Sequence, residues 1–334
     1  GQAQSMTQLI FARSLQGIGA GGIAPLAFIL IGEMFTLEQR AKMQGFFSGV
    51  WGVSSIAGPL LGGFIVDQLS WHWVFYVNIV PGLLAAGLVA FAWRDQPQSH
   101  ARPAVDYTGA LLLTSSIVIL LIGLMYLGTA SSWLLIGIAV VLFALLLWVE
   151  SRAADPILPI TLFRQDRLFA TTTAHGVFSG WALFGTIAYI PLFVQSVIGT
   201  SATQAGLTIT PLLLGWVTAS IIGTRLLLRT GYYKLAITGT TLLFVGAILL
   251  ATVNMNTSQT LLMIYITIMG IGMGLAIPSF LIAVQTTVER RNLGTATSTI
   301  QFSRSIGGTL GVSAMGAALG MRLASNLSAS GLNP

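Results

Sequence analysis

Apolar runs of about twenty residues recur along the whole chain, and short segments rich in charged residues, proline and glycine separate them. A buried helix of a soluble domain has an apolar run of roughly 10–14 residues, whereas about 20 are needed to cross a hydrocarbon layer about 30 Å thick. The runs lack the alternation of polar and apolar positions that is typical of strands in a membrane β-barrel. The pattern therefore predicts an all-α polytopic membrane protein. Its ten predicted spans are 9–31, 43–66, 73–92, 107–128, 132–149, 168–198, 203–228, 234–253, 259–284 and 295–319.

The lysines and arginines are concentrated in alternate loops, which places them on one side of the predicted spans. That side receives twelve of the fifteen basic residues, and the opposite side receives only Arg322. Because cytoplasmic loops carry an excess of lysine and arginine, the charged loops are predicted to be cytoplasmic and the first residues external. The first residues lack the basic region and cleavage site of a secretory signal, so this orientation leads us to expect further helices before and after the chain. The twelve residues are Arg40, Lys42, Arg94, Arg102, Arg152, Arg164, Arg167, Arg225, Arg229, Lys234, Arg290 and Arg291.

The composition agrees with a membrane protein and argues against several other classes. Hydrophobic residues make up 54% of the 334 residues and charged residues only 7%, where about a quarter is usual in a soluble domain. The net charge of +6 follows from the basic loops, so no nucleic-acid partner is predicted. The chain has no cysteine and three histidines, and we therefore predict no disulfide, no metal and no cofactor.

The first span contains the densest group of polar residues and glycines, with Arg13, Gln16, Gly17 and Gly19 close together. An arginine inside a span costs at least about 2.5 kcal/mol to insert, so it should face a water-filled cavity or a partner. Gln16 follows one turn later on the same face. The alternative is that Arg13 lies near enough to the external end to reach the headgroups.

The second span carries Gly58, Pro59, Gly62 and Gly63. A proline inside a helix removes a backbone hydrogen bond and bends the axis, and glycines at this spacing let helix backbones approach closely. The group indicates a bend at a packed seam between helices. The bend is either a static feature or a hinge or seal.

These motifs resemble those of the major facilitator superfamily. The pattern Arg13-x-x-Gln16-Gly17-x-Gly19 is similar to the fourth-helix motif of that family, and Gly58-Pro59-x-x-Gly62-Gly63 is similar to the fifth-helix motif of its antiporters. The string 71–81, with its tryptophans, asparagine and proline, matches the start of the sixth helix. The resemblance implies a role for Arg13 and Gln16 in proton coupling.

Two further features resemble the fourteen-helix drug:proton antiporter branch of this family. They are an extra helix pair at 107–149 and the glycine-rich motif 304–311. On this resemblance the ten spans correspond to helices four to thirteen of fourteen, without the first three and the last. Residues 1–92 would then hold the last three helices of the N-terminal bundle. Residues 93–167 would be cytoplasmic linkers around the inserted pair, 168–320 would hold five of six helices of the C-terminal bundle, and 321–334 would be an external segment.

The resemblance also implies that spans 9–31, 168–198 and 259–284 line a central cavity. Aromatic and methionine side chains at helical spacing on the last two spans would then form its wall. Such stripes are also typical of helix packing and lipid contact, and the sequence leaves this choice open. The predicted cavity residues are His175, Phe178, Trp181, Tyr189, Tyr265 and Met269.

Three sets of charged or titratable residues lie in or near the spans, and the roles of two of these sets are open. His175 is either a proton relay or substrate contact, or it makes a structural hydrogen bond to a neighbouring helix. Arg304 lies about 15 Å deep by helix rise and needs a partner. Arg225 and Arg229 resemble a degenerate copy of a gating loop, with ordinary cytoplasmic positive charge as the alternative.

The function that these observations favour is proton-coupled export of hydrophobic or cationic drug-like compounds by alternating access. The alternative within the same fold is transport of one metabolite, such as an organic acid or a siderophore. An enzyme is disfavoured because the sequence offers no catalytic triad or metal-ligand cluster, and a channel because no polar ring is visible. The predicted partners are small substrates, protons and the lipid bilayer of a bacterial inner membrane. The sequence leaves open whether a periplasmic adaptor protein is needed.

Overall fold

The computed structural model describes residues 1–92, 106–153 and 156–329, and all regular structure in these ranges is helical. Parts of the predicted linkers and of the predicted external segment lie outside these ranges. A single π-helical turn, Val194–Ile198, extends α8, and a 3₁₀ turn, Arg290–Asn292, precedes α12. The helices are α1 Met6–Met34, α2 Leu37–Gln68, α3 Trp73–Tyr76, α4 Ile79–Ala92, α5 Tyr107–Met125, α6 Ala130–Glu150, α7 Ile160–Gln165, α8 Arg167–Phe193, α9 Ala202–Thr230, α10 Tyr232–Ala251, α11 Gln259–Thr287 and α12 Leu293–Ala329.

Several helices begin at a residue whose side chain satisfies the free backbone N–H groups of the first turn. Asp166 accepts hydrogen bonds from the backbone N–H groups of Leu168 and Phe169 at the start of α8. This arrangement stabilises the helix start by roughly 1 kcal/mol. The same type of cap begins α5, α6, α9 and α11, at Asp106, Thr129, Ser201 and Ser258.

Eight helical segments in the described part are long and apolar enough to cross a membrane, and the chain is a multi-pass membrane protein. They match eight of the ten predicted spans. The segment at 73–92 is divided into α3 and α4. The other two predicted spans, 43–66 and 295–319, lie in α2 and α12, which are helical but do not belong to the eight.

The last helix, α12, is longer than the predicted span and contains many hydroxyl-bearing residues. It continues to Ala329 because residues 321–324 are good helix formers. The hydroxyls of Thr299, Ser303 and Thr309 donate to carbonyls three or four residues earlier in α12. The hydroxyl groups of these side chains therefore have hydrogen-bond acceptors within their own helix.

The described residues form two compact units. The first takes its residues from Gly1–Ala24 and Val50–Pro103, and it contains the first part of α1, the second part of α2, and α3 and α4. The second takes its residues from Pro25–Gly49 and Ala104–Pro334. The boundary within α1 falls at Pro25, where the helix loses a backbone hydrogen bond.

Glycines bring the helices of the second unit into direct backbone contact. At Gly270 and Gly274 of α11, a Cβ would collide with backbone atoms of Leu212 and Trp216 in α9. At Gly272 of α11, a Cβ would meet the backbone of α10. Close backbone approach of this kind holds membrane helices together where no hydrophobic driving force exists between them.

The helices α5 and α6 form an antiparallel hairpin. Ser132 donates to the carbonyl of Gly123 at 2.9 Å near the turn. At the opposite end, Asp106 Oδ2 and Glu150 Oε1 both lie beside Gly109, and neither oxygen has a hydrogen-bond partner among the described residues. A side chain at position 109 would leave no room for these two carboxyl groups.

Candidate functional site

Arg13 and Gln16 form a pair on α1, as their spacing predicts. Arg13 Nη1 donates to Gln16 Oε1 at 2.7 Å. The guanidinium carbon also lies 5.9 Å from the centroid of the Phe75 ring, within the range of a cation–π contact. Both groups belong to the first unit, and the Arg13 side chain is exposed. The arginine thus has a polar and an aromatic neighbour but remains accessible.

The predicted seam in α2 is helical throughout. A Cβ added at Gly58 or Gly62 would meet nothing within 4 Å, so the described neighbours do not approach these glycines closely. Of Pro59 and Gly63 only the helical backbone is described. The role of the four residues as a hinge or seal stays a prediction.

The four predicted cavity residues of α8 lie in different surroundings. The His175 ring packs on Phe280 of α11, with 4.6 Å between the centroids. The Tyr189 hydroxyl donates to the carbonyl of Val312 in α12 at 2.8 Å, which is a structural contact between helices. Phe178 is 71% exposed and Trp181 38% exposed, so these two aromatic side chains form an accessible surface.

The two predicted cavity residues of α11 also differ from each other. Tyr265 is half-buried. Met269 is 1% exposed and belongs to a packed core cluster with Leu183 and Leu212. Its side chain also contacts Gly246 of α10, so it fills the core of the second unit rather than an open surface.

The Arg304 guanidinium, for which no partner was visible in the sequence, bonds to a neighbouring glutamine. Arg304 Nη2 donates to Gln301 Oε1 at 2.5 Å, one turn earlier on α12. Arg304 forms no salt bridge with any residue that the structure describes. On α8 and α12, three buried polar atoms lack hydrogen-bond partners among the described residues, and they are Thr172 Oγ1, His175 Nε2 and Gln301 Nε2.

Arg225 and Arg229 are exposed near the C-terminal end of α9. A positive charge at this end interacts favourably with the helix dipole. This position agrees with either interpretation of the pair, the gating loop or ordinary positive charge.

Arg40, which lies at the start of α2, has a role that could not be predicted from the sequence. Its guanidinium donates to the carbonyls of Phe35 at 2.9 Å and Gln285 at 3.0 Å, and to that of Gly32. The Gln285 side chain in turn donates to the carbonyl of Phe28 at 3.2 Å. Burial lowers the pKa of Arg40 from its ordinary value. We call this group, Phe28, Gly32, Phe35, Arg40 and Gln285, the Arg40 clamp.

A second polar contact joins α2 to α9. The hydroxyls of Ser48 and Ser220 lie 2.6 Å apart, and both residues are buried. One turn away, a Cβ at Gly45 would lie 3.2 Å from the Thr224 hydroxyl oxygen. Small polar side chains are a weak sequence signal, and only the packing of the two helices reveals this contact. We call the four residues the serine seam.

The described residues contain no group of three or more histidine, aspartate or glutamate side chains that could hold a metal ion. Within the second unit, the residues form apolar helix contacts with polar contacts at the ends of α1 and α2.

Comparisons with known proteins agree with this architecture. The model of the Major Facilitator Superfamily matches residues 2–312. Multidrug transporter protein MdtP of Bacillus subtilis (strain 168) is 38% identical over 328 residues, which cover 96% of this chain and 60% of that protein. Multidrug resistance protein 3 of the same organism is 37% identical, covering 95% of this chain and 62% of that protein.

A fungal relative extends the comparison. Efflux pump dotC of Dothistroma septosporum (strain NZE10 / CBS 128990) is 30% identical over 318 residues, which cover 91% of this chain and 54% of that protein. The chain therefore spans about 60% of the length of the bacterial relatives described above. Since the family model covers nearly all of its residues, the chain belongs to the Major Facilitator Superfamily.

Proposed function

We propose that the protein is a proton-coupled transporter that exports hydrophobic and cationic drug-like compounds by alternating access, in the fourteen-helix branch of its family. The names of the bacterial relatives, a multidrug transporter and a multidrug resistance protein, support the drug-like substrate class. The α5–α6 hairpin supports the fourteen-helix branch, because it is the structure expected of an inserted helix pair at 107–149. The bacterial origin of these relatives supports a location in a bacterial cell membrane.

The observation that carries the alternating-access part of the proposal is the polar character of the contacts that α1 and α2 make within the second unit. The Arg40 clamp and the serine seam join these helices to α9 and α11 through hydrogen bonds. Water can replace a hydrogen bond at small net cost, whereas a well-packed apolar contact is costly to open. Contacts of this kind can break and form again in each transport cycle.

The proposal assigns proton coupling to Arg13 and Gln16. A permanently charged guanidinium favours the ionised form of a nearby carboxyl group and so helps it to release a proton. Phe178, Trp181 and Tyr265 would contact the substrate, since a broad apolar wall accepts compounds of varied shape. The hinge or seal at Gly58, Pro59, Gly62 and Gly63 belongs to the same proposal.

The test measures dye export by the full-length protein in everted membrane vesicles with an imposed pH gradient. We expect Arg13→Gln to lower gradient-driven export of ethidium by about tenfold or more, because the charge is lost. Arg13→Lys keeps the charge and should retain part of the activity. Arg322→Gln, which removes an exposed positive charge from α12, is the matched control.

Two results would contradict the proposal. Export that persists after the pH gradient is collapsed would exclude proton coupling. Normal export by Arg13→Gln over a range of pH would make Arg13 an interface anchor, in line with the alternative interpretation of its position.

A further inference from the structure

Four polar side chains lie on α8 and α12 near the place where these two helices pack on each other. The two helices run parallel, because Gly176 approaches Ser303 and Gly180 approaches the backbone of Arg304. Thr172 and His175 precede this contact on α8, one turn apart, and Gln301 and Arg304 lie one turn apart on α12. We call Thr172, His175, Gln301 and Arg304 the polar cluster.

The threonines of α8 show that the polar cluster is unusual. Thr171 and Thr173 donate their hydroxyls to backbone carbonyls one turn earlier, at 2.7 and 2.9 Å. Thr172 lies between them and is 2% exposed, yet its hydroxyl has no partner among the described residues. A buried hydroxyl that makes no hydrogen bond, although a carbonyl of its own helix is available, lowers the stability of the fold. It indicates a partner of another kind.

The hydrogen-bonding capacity of the polar cluster identifies the chemistry of that partner. Arginine only donates, so the Gln301 atom that it contacts is the amide oxygen, and the Gln301 amide nitrogen is left as a free donor. Arg304 adds a positive charge for which the described residues provide no carboxylate. The complement of these donors is an oxygen atom that accepts hydrogen bonds and carries negative charge.

The surroundings of the polar cluster fit an amphipathic molecule. Phe178 and Trp181 follow His175 on α8 at intervals of one turn and present accessible aromatic surface. The Arg304 residue as a whole is half-buried. A molecule with an apolar ring system and an acidic group would meet both the aromatic surface and the donors.

We infer that the polar cluster is a subsite for the anionic oxygen group of a transported compound, which extends the substrate range to amphipathic acids. This inference rests on the transport function proposed above. It adds to that function a site for carboxylates, phenolates or sulfonates, distinct from the general apolar wall.

The test compares binding of fluorescein, an anion, with binding of rhodamine 123, a cation built on the same ring system. Fluorescence anisotropy is measured with the full-length protein in nanodiscs. We expect Arg304→Gln to weaken fluorescein binding by about tenfold, the loss of one charge-assisted interaction, and rhodamine binding by less than about twofold. Arg304→Lys should lie between, and Arg322→Gln on the same helix should change neither dye.

A second pair of variants separates a ligand-binding role from a structural one. Thr172→Val removes the unpartnered hydroxyl at almost constant volume, so we expect weaker fluorescein binding with an unchanged thermal unfolding temperature. Thr173→Val, its neighbour, removes a hydroxyl that already bonds within α8 and should leave fluorescein binding unchanged.

The outcomes distinguish this inference from the proposed function. An equal loss of both dyes in Arg304→Gln, or unchanged fluorescein binding, would overturn the anion subsite. Binding and export of rhodamine 123 without any binding of fluorescein would overturn the subsite and leave the drug-export proposal standing. Failure of the unaltered protein to bind either dye would overturn both.

Discussion

Arg13, Arg40 and Arg304 lie within long helices. None of the three forms a salt bridge with a carboxylate of the described residues. Arg13 and Arg304 each donate to a glutamine one turn away on the same helix. Arg40 instead donates to backbone carbonyls of two different segments. Neutral oxygen acceptors keep the positive charge of each arginine available for interaction with other groups, whereas a carboxylate would neutralise it.

The hydrogen bonds of the Arg40 clamp predict that removing the Arg40 guanidinium lowers the stability of the protein strongly. Replacing Arg40 with methionine keeps the aliphatic stem but removes the donors to the carbonyls of Gly32, Phe35 and Gln285. We expect the free energy of unfolding to fall by about 2 kcal/mol, the net value of a hydrogen bond to a charged group, with reduced export. Unfolding in increasing denaturant measures the change.

The matched control for this prediction is Lys42→Met, which removes an exposed positive charge two residues away. It should leave the unfolding free energy nearly unchanged. Equal effects of the two variants would show that net charge at this end of α2, and not the hydrogen bonds of the clamp, determines stability.

The sequence predicted local side-chain pairs better than distant ones. The Arg13–Gln16 pair follows from helical spacing, and the need of Arg304 for a partner follows from the cost of a buried charge. The contact between Arg40 and Gln285 could not be predicted, because 245 positions separate the two residues and the acceptor is a backbone carbonyl. A carbonyl is present at every residue, so it leaves no trace in the sequence.

At the scale of elements, the packing of α8 on α12 depends on glycine. A Cβ at Gly180 would lie 2.8 Å from the carbonyl carbon of Arg304 and closer still to its oxygen. We expect Gly180→Ala to force the two helices apart and lower the unfolding free energy by about 2 kcal/mol. Gly137→Ala in α6, where a Cβ meets nothing within 4 Å, should cause no loss. Thermal unfolding of the two variants would decide, and similar melting temperatures would contradict the prediction.

The serine seam allows a direct test of helix movement. The 334 residues contain no cysteine, so the double variant Ser48→Cys, Ser220→Cys introduces two thiols at known positions. Because the two hydroxyl oxygens lie 2.6 Å apart, we expect rapid cross-linking under mild oxidation, loss of export, and recovery on adding reductant.

The single variants Ser48→Cys and Ser220→Cys are the controls for oxidation itself. If the cross-linked protein exports ethidium at the normal rate, α2 and α9 stay together throughout the cycle, and the seam is a static contact.

Most helix boundaries were predictable from hydropathy, and the exceptions have local causes. The predicted span 73–92 is divided between α3, which ends at Tyr76, and α4, which begins at Ile79 and has Pro81 in its first turn. A proline is favoured in the first turn of a helix, where its missing N–H group would have no partner. The predicted span 295–319 lies in the longer α12, whose many hydroxyl groups lower its hydropathy.

At the scale of the whole molecule, the distribution of positive charge predicts the orientation in the membrane. Met255, between α10 and α11, is 84% exposed on the side predicted to be external, and Tyr233, at the start of α10, is 71% exposed on the basic side. In intact cells, a membrane-impermeant maleimide should label Met255→Cys and leave Tyr233→Cys unlabelled until the cells are opened. The reverse pattern would invert the predicted topology.

The sequence predicted the family and the fold class, and the Major Facilitator Superfamily match confirms the family. It did not predict that α1 and α2 each contribute to two compact units, with divisions after Ala24 and after Gly49. Hydropathy describes each helix separately, whereas a division within a helix depends on contacts that residues far apart in the chain make with its two halves.

The hydroxyl groups of α12 also bear on how this helix enters the bilayer during synthesis. The free-energy cost of moving α12 from the translocon into lipid is smaller than its number of serines and threonines suggests. Several of these side chains donate hydrogen bonds to carbonyls of the same helix. The remaining cost is concentrated in Gln301 and Arg304. Because α8 is synthesised before α12, the helix that packs against this part of α12 is already in place when these two residues emerge from the ribosome. The order of synthesis therefore provides a helix, α8, against which the most polar turn of α12 can pack as soon as it inserts.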